Sequence, residues 1–559
     1  MKCEWNYQPL TPQQKQAAAE IDAGTGVGAA IAELLVRRQV TSAEEAEKFF
    51  APSLNDLHDP FLMPDMDKAV HRLNKAMGAK ERIMIYGDYD VDGTTAVALV
   101  YKYLQNYYSN IEYYIPTRYE EGYGISRKSI DYAAGRDVKL IIVLDCGIKA
   151  NEEIKYAKDK GIDFIICDHH VPDPELPPAA AILNPKLSGS TYPCKHLSGC
   201  GVGFKFMQAF AKSNGLQNHN ELESLLDLVA VSIAADIVPI VGENRIMVYH
   251  GMRRINLNPN LGLRSIIRTC KLTNKEITIS DVIFKIGPRI NASGRMQSGI
   301  EAVDLMVSRD LHDAYEKGRA IDQYNKDRKE LEGKRSIVIY NKNWHKGIIG
   351  IVASRLTELY YKPSVVLTYS NGLVTGSSRS VQGFDIYSAV DSARDLLENF
   401  GGHTYAVGLS LKEENIPEFS RRFEEYVAKH IRPDQLSPQT VIDACISFSD
   451  ITPEFLSLLK KFNPYGPGNQ KPVFMTRSVF DFGTSKLVGK NMEHIKLELE
   501  DNSTSRVLNA IAFNMAPYFE HIHAHKPMDI CYTIEQAKHN KTGLNSIQLM
   551  IKDMRPSES

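Results

Sequence analysis

Residues 82–93 read Arg-Ile-Met-Ile-Tyr-Gly-Asp-Tyr-Asp-Val-Asp-Gly, an apolar run that ends in three alternating carboxylates, Asp88, Asp90 and Asp92. Carboxylates packed this closely repel one another unless cations lie among them, and Asp oxygens are preferred ligands for hard divalent metals. The same letters open a calcium-binding EF-hand loop. With Asp88 at loop position 1, Gly93 falls correctly at position 6, but position 12, which needs a bidentate Glu, is Leu99. The segment before it also reads as a strand rather than a helix, so the calcium-hand reading fails. The plain alternative is a solvated acidic turn, and the choice depends on whether other ligands converge on the same place.

Several do. Asp145 follows Lys-Leu-Ile-Ile-Val-Leu, and Asp168-His169-His170 follows Ile-Asp-Phe-Ile-Ile-Cys. One Asp after a strand is often only a helix N-cap. Three strand ends carrying ligands, one with adjacent histidines, argue for a shared site. Asp236 closes the apolar run 229–235 just before Ile-Val-Pro; taken alone, it reads as a helix-end carboxylate. Mixed Asp and His donors favour Mn²⁺, with Mg²⁺ the weaker-bound alternative, because imidazole is a borderline ligand. Two such ions about 3.5–4 Å apart, bridged by a carboxylate, can generate hydroxide and clamp a phosphoryl group.

The elements that must position these groups follow from the apolar pattern. Candidate strands at 83–86, 111–115, 140–144, 164–167 and 180–183 alternate with helical segments such as 94–107 and 152–160. Strands apolar on both faces and separated by helices predict a parallel sheet covered on both sides. In such sheets ligands bind at the carboxyl ends of the strands. A charged stretch at 311–334 reads as an exposed connecting helix, and a second α/β pattern runs from 336 to about 431. Residues 433–438 look like a linker. Beyond them, β-rich runs at 473–475, 494–499, 507–513, 529–534 and 547–551 suit a small barrel. Residues 1–65 read as a helical, partly irregular preface. The expected divisions are therefore 1–65, 66–305, 306–335, 336–432 and 440–559.

Bulk properties bound the reading without choosing a function. The 559-residue chain is too long for a single core, and 43% hydrophobic with 24% charged residues is ordinary for a globular protein. The first residues carry no apolar signal region. The longest apolar stretch, 225–241, is interrupted by Asp227 and Asp236 and is too short to span a bilayer comfortably. A cytoplasmic location and no membrane partner are expected. Eight cysteines include no C-x-x-C pair, and no second pair with zinc spacing accompanies Cys194 and Cys200, so reduced thiols are expected. A net charge of -2 gives no global basic signature, so any nucleic-acid binding must come from a local groove.

The motif set resembles a known family. Asp-Tyr-Asp-Val-Asp-Gly at 88–93, Leu-Asp145-Cys-Gly, Asp168-His169-His170 and Ala-Ala-Asp236 are similar to the four motifs of the DHH phosphoesterase superfamily, in its order and spacing. The resemblance implies that Asp90 and Asp145 hold one metal, and that Asp92, Asp145, His169 and Asp236 hold the other, with Asp145 as the bridge. It implies that His170 faces the substrate phosphate. Asp88, where relatives differ, either ligates directly or orients a water.

Gly401-Gly402-His403-Thr-Tyr-Ala-Val-Gly408 resembles the Gly-Gly-His signature of the superfamily's second, DHHA1-like domain, with Val407 where Ala is more usual. A glycine pair lets backbone approach a phosphate or base closely, and His403 can donate to it. Gly376-Ser377-Ser378-Arg379-Ser380 offers hydroxyls, backbone donors and a guanidinium together, as an anion pocket needs. Arg289-Ile-Asn291-Ala-Ser-Gly-Arg295 and Thr117-Arg118 supply further cations, suited to positioning phosphates without reading sequence. These stretches, with His345-Lys-Gly-Ile-Ile-Gly350 and Asn463-Pro-Tyr-Gly-Pro-Gly-Asn469, resemble the superfamily's bacterial single-strand-specific 5′→3′ exonucleases from about residue 50 to near the C-terminus. Tyr465 stands where Phe is more typical.

The implied fold is α/β: a parallel-sheet DHH domain (66–305), a long connecting helix (306–335), a DHHA1-like substrate-binding domain (336–432) and a C-terminal β-barrel of the OB fold (440–559). The implied activity removes mononucleotides from the 5′ end of single-stranded DNA, with Arg118, Ser377 and Arg379 on the terminal 5′ phosphate or the adjacent backbone. Phe480, Phe482, Phe513, Tyr518 and Phe519 are candidates to stack on bases, although several must instead be barrel core. Implied partners are single-strand-binding protein and a RecQ-type helicase, in DNA repair and recombination, and the chain is expected to be a monomer. Two rivals stand beside this reading. One is a hydrolase of short oligoribonucleotides, cyclic dinucleotides or pyrophosphate, which has no need of a barrel. The other is a non-catalytic DNA clamp, disfavoured because every expected carboxylate is present. Preference for DNA over RNA depends on room at the 2′ position and stays open.

Overall fold

The computed structural model describes residues 4–117, 121, 124–216, 219–296, 306, 335–342, 344, 346, 349–370, 372–381, 383–432, 435, 439–538 and 545–557. They fall into two compact units, Ala51–Asp327 with Asn463–Gln470, and Met1–Phe50 with Arg328–Phe462 and Lys471–Ser559. The connecting helix expected at 311–334 lies outside the described residues.

The first unit is built on a five-stranded sheet in the order Ile111–Tyr114, Arg82–Gly87, Val138–Leu144, Asp163–Cys167, Ala181–Leu183, with every pairing parallel. Alternate side chains enter two different apolar clusters, as a sheet buried on both faces requires. Ile83, Ile85, Leu140, Ile142 and Ile165 join the helices Val91–Leu104, Gly199–Ser213 and Leu226–Ala235 on one side. Met84, Tyr86, Ile141, Val143 and Ile166 join Arg127–Gly135 and Asn151–Asp159 on the other.

The register explains why ligands converge. Gly87 pairs with Leu144, Leu144 with Cys167, and Cys167 with Leu183. Asp88, Asp145 and Asp168 therefore leave the sheet at one level. The helix after the first strand starts at Val91, earlier than the expected 94, because Asp90 is its N-cap and accepts from Gly93 N–H at 3.0 Å. Gly93 has to be glycine: a Cβ there would lie 2.4 Å from the Asp88 carbonyl oxygen.

The second unit contains a mixed sheet in the order Leu397–His403, Ala406–Leu411, Leu373–Arg379, Ser364–Ser370, Ile337–Tyr340, in which only the last pair is parallel. Phe419, Phe423 and Val427 of the Ile416–His430 helix fill its core. The C-terminal strands Phe474–Asp481, Met528–Lys538, Asn545–Pro556, Thr504–Ala512 and His494–Asp501 pair in that order, and the last returns to the first. This closes a five-stranded barrel, as the spacing of the β-rich runs predicts.

The stretch 1–65 is more divided than its helical reading suggests. Helices Pro12–Thr25, Ala29–Arg37 and Ala43–Phe50 are present, but a strand, Glu4–Tyr7, precedes them and pairs in parallel with Gln439–Ile442. Trp5 Nε1 donates to Asp553 at 2.8 Å, and the Arg555 guanidinium lies over its ring at 4.3 Å. Residues up to Phe50 thus cluster with the second unit, and those from Ala51 with the first.

Candidate metal centre

Asp145 takes a left-handed backbone, φ 62°, directly after the central strand. Asp tolerates this region better than most residues, and such outliers cluster at functional sites. Gly199 leaves the space that Asp145 needs: a Cβ on Gly199 would meet the Asp145 Cβ at 2.6 Å and its Oδ1 at 2.8 Å.

Asp92 is held by the start of the Gly199–Ser213 helix. Its carboxylate accepts from the Gly199 and Cys200 amides and from the Ser232 hydroxyl, each at 2.7 Å. The Ser198 hydroxyl caps the same helix through Gly201 N–H at 3.1 Å and lies 2.6 Å from the Ser232 hydroxyl. A carboxylate at a helix N-terminus meets free amide donors and the positive end of the dipole.

His169 supplies the decisive geometry. Its Nδ1 lies 3.1 Å from the Leu197 carbonyl oxygen, which can only accept, so Nδ1 carries the proton and Nε2 presents a lone pair. That Nε2 is buried without a hydrogen-bond partner, 3.2 Å from Asp145 Oδ1, 3.6 Å from Asp236 Oδ2 and 3.8 Å from Asp92 Oδ2. Burial lowers the His169 pKa, which favours the neutral ring. A lone pair facing three carboxylates is repulsive unless a cation or a proton lies among them. The donor set therefore fits a metal centre, with an outer carbonyl fixing the imidazole tautomer as metal-bound histidines require.

The neighbouring carboxylates carry the same strain. Burial, then repulsion from Asp92 and Asp90, pushes Asp236 up to about 8. Burial and Asp92 raise Asp90, and burial with Asp92, Asp90, Asp168 and Asp236 raises Asp145 well above the usual range. Two groups bring ligand atoms within 4.8 Å of one another: Asp145 with His169 and His170, and Asp92 with His169 and Asp236. Asp90 is within hydrogen-bonding reach of Asp145 but in neither group. Asp88 is buried and also falls outside both.

His170 is half-exposed and held by Asp168. Its Nδ1 lies 2.7 Å from Asp168 Oδ1, which also accepts from the His169 and His170 amides, while Oδ2 accepts from Ile148 N–H. Burial works to raise Asp168, but these hydrogen bonds outweigh it and hold the carboxyl below its usual value. The bond to Asp168 in turn raises His170, favouring an imidazolium.

The other predicted residues are distributed over both units. In the first, Arg289 and Asn291 sit on the Gly287–Met296 helix, where Arg289 donates to the Lys285 carbonyl at 3.0 Å. Arg295 is on the same helix, its side chain outside the described residues, and Arg118 lies outside them altogether. In the second unit, Ser377 and Arg379 end a strand, and Arg379 donates to Ser377 Oγ at 3.0 Å and to the Ser378 carbonyl at 2.7 Å. Gly350, in the first turn of the twelve-residue Ile349–Tyr360 helix, approaches both: a Cβ there would lie 3.2 Å from Ser377 Oγ and 3.3 Å from Arg379 Nη2. A half-buried guanidinium, a hydroxyl and a helix start are donors of the kind an anion-binding site uses.

His403 ends its strand, with its side chain outside the described residues. Gly402 is required by the hairpin itself, since a Cβ would meet the Ala406 carbonyl oxygen at 2.2 Å. In the barrel, Phe482 and Phe513 are exposed, whereas Phe480, Tyr518 and Phe519 are half-buried.

Comparison with known proteins matches three regions of the chain to family domains. The model for the DHH family N-terminal domain matches residues 82–233, that for the DHHA1 domain 333–429, and that for the RecJ OB domain 442–553. The single-stranded-DNA-specific exonuclease RecJ of Haemophilus influenzae is 31% identical over 93% of this chain and 95% of its own. That of Bacillus subtilis is 35% identical over 94% of this chain and 68% of its own.

The chain belongs to the RecJ family.

The fold agrees. The crystal structure of RecJ in complex with Mn²⁺ from Thermus thermophilus superposes with a TM-score of 0.79, at 24% identity, over all of this chain and 80% of that one. Membership of the RecJ family does not by itself reveal the residues that hold the cluster in place. Ser198, Gly199 and Ser232 carry no strand-end signal in the sequence, and Asp168, expected as a strand-end ligand, instead holds His170. The available signals were small: a Ser-Gly-Cys-Gly helix start, and one serine inside the apolar run Val-Ala-Val-Ser-Ile-Ala-Ala.

Two predictions follow from this geometry. Gly199→Ala should weaken Mn²⁺ binding about tenfold or more, measured by calorimetry, with circular dichroism unchanged; wild-type affinity would contradict the packing argument. In the metal-free protein, Asp236 keeps a proton that the unfolded chain releases above its ordinary carboxylate pKa. The folded state binds more protons, so this contribution is present at low pH and lost as pH rises through about 8. The raised His170 acts in the same direction. The melting temperature of metal-free protein should therefore fall from about pH 6 to about pH 9, and saturating Mn²⁺ should flatten the slope.

Proposed function

We propose that this protein is a metal-dependent exonuclease that hydrolyses single-stranded DNA from the 5′ end to mononucleotides. The observation that carries the reading is the His169 lone pair set among Asp145, Asp236 and Asp92, in a chain that matches the DHH, DHHA1 and RecJ OB domains. The centre would take two Mn²⁺, or Mg²⁺, with Asp90 and Asp145 on one ion and Asp92, Asp145, His169 and Asp236 on the other. Crystal structures of RecJ relatives hold Mn²⁺ or Mg²⁺, which supports this assignment. Bound there, the ions would supply a hydroxide nucleophile at neutral pH and offset charge on the phosphate.

The chain's own groups then act around that chemistry. Asp168 orients His170 and raises its pKa, which favours the imidazolium that can donate to a phosphate oxygen as negative charge develops. Asp88 either ligates a metal directly or orients a water. Arg379 and Ser377, with Arg118, hold the terminal 5′ phosphate. Arg289, Asn291, Arg295 and His403 contact the backbone, which positions a strand without selecting sequence. The exposed Phe482 and Phe513 are the barrel aromatics suited to base stacking.

A single-strand exonuclease works where single strands arise, which fits a place in cytoplasmic DNA repair and recombination, as a monomer beside single-strand-binding protein and a RecQ-type helicase. Among the described residues no helix is long and apolar enough to cross a membrane. The barrel disfavours a small-oligonucleotide hydrolase, and the complete ligand set disfavours an inert clamp.

A Mn²⁺-dependent degradation assay on 5′-tailed, 3′-tailed and blunt DNA and on short RNA tests the reading; loss of the 5′-tailed substrate first is the expected result, and preference for short RNA would overturn it. Asp145→Ala should abolish turnover, at least a thousandfold, and wild-type turnover would refute the bridging role. Arg379→Ala should reduce the preference for 5′-phosphorylated ends with Mn²⁺ affinity intact, and the reverse pattern would refute the phosphate role.

A further inference from the structure

The helix Leu226–Ala235 ends at Asp236, and the next residue, Ile237, has φ 58° while its N–H bonds back to the Ala234 carbonyl. This is the helix-stop position that glycine usually fills, because a Cβ is disfavoured in the left-handed region. Twelve described non-glycine residues have positive φ, and Ile237 is the only β-branched one among them. For such a side chain this conformation is a true outlier. Burial does not offset the strain, since Ile237 is 60% exposed.

A second observation points the same way. Val171, which directly follows His170, is 67% exposed. His169 joins the two places, with its Nε2 3.6 Å from Asp236 Oδ2 and its ring centroid 4.6 Å from that of His170. Two branched aliphatic residues are therefore each one position, about 3.8 Å along the chain, from a member of the same charged cluster. Neither gains much from folding. An apolar surface beside a centre that takes a phosphodiester is suited to the part of the nucleotide that is not phosphate.

We propose that Ile237, with Val171, forms an apolar lip that packs against the sugar and base of the nucleotide whose phosphate sits at the Asp92–His169–Asp236 cluster. The proposal rests on the exonuclease reading and deepens it. Contact with the face of a sugar or base is available to every nucleotide, so the lip grips the strand next to the scissile bond without reading sequence. It belongs to substrate binding rather than to the bond-breaking step.

The test is Ile237→Asn, because asparagine accepts the left-handed conformation without the added backbone freedom of glycine. Stability should stay the same or rise, and Mn²⁺ binding, measured with the metal alone, should be unchanged. KM for a 5′-phosphorylated oligodeoxynucleotide should rise about tenfold, in line with the loss of a partly buried aliphatic contact, with a far smaller change in kcat. Ile237→Val should restore KM. An abasic residue beside the scissile phosphate should raise KM for the wild type and have little further effect in Ile237→Asn. An active wild type with unaltered KM in Ile237→Asn would overturn the lip alone, as would weakened Mn²⁺ binding, which would mean that the side chain serves to hold Asp236. A wild type inactive on this oligonucleotide would overturn the exonuclease reading and the lip with it.

Discussion

Mutual repulsion among buried carboxylates is the constraint on which the rest of the structure depends. Asp92, Asp145 and Asp236 surround a neutral imidazole nitrogen, and burial with mutual charge raises Asp90, Asp145 and Asp236 above their ordinary values. Left to themselves these groups would take up protons or move apart. The fold prevents separation by fixing them on three elements, Asp90 and Asp92 at the start of one helix, Asp145 after the central strand and Asp236 at the end of another helix. A cluster that cannot relax by moving is relieved by binding cations.

The restraining contacts are therefore as much a part of the centre as its ligands. The Gly199–Ser213 helix contributes amides to Asp92 and a missing side chain to Asp145. Asp168 contributes no ligand atom to either group, yet it sets the protonation and orientation of His170. It is satisfied by four donors and sits comfortably ionised, in contrast to the carboxylates beside it. Asp168 on one side and Asp90, Asp145 and Asp236 on the other thus have opposite electrostatic characters, decided by whether hydrogen bonds outweigh burial and repulsion.

Much of this was legible in the sequence, because its signals were local. Strand-end carboxylates declare themselves by following unbroken apolar runs, and parallel strands place their carboxyl ends together without further information. The barrel was legible from evenly spaced β-rich runs. What could not be read were features set by distant partners. Glu4–Tyr7 is too short to show a pattern, and its neighbour lies at the other end of the chain. Ser232 looks like a flaw in an apolar helix until Asp92 is placed against it. Gly402 looked like a residue reserved for ligand approach, whereas the hairpin backbone already requires it. Asp236 was legible both as a helix-end residue and as a ligand, and the structure makes it the first while placing it where it can be the second.

The central claim is that His169 Nε2 and the surrounding carboxylates form a two-ion centre. Crystals grown with Mn²⁺ and measured at the manganese absorption edge test it most directly. The account predicts two anomalous peaks about 3.5–4 Å apart, both touching Asp145, with His169 Nε2 ligating the ion shared by Asp92 and Asp236. A single peak, or an ion bound away from Nε2 with the imidazole hydrogen-bonded to a carboxylate instead, would contradict it.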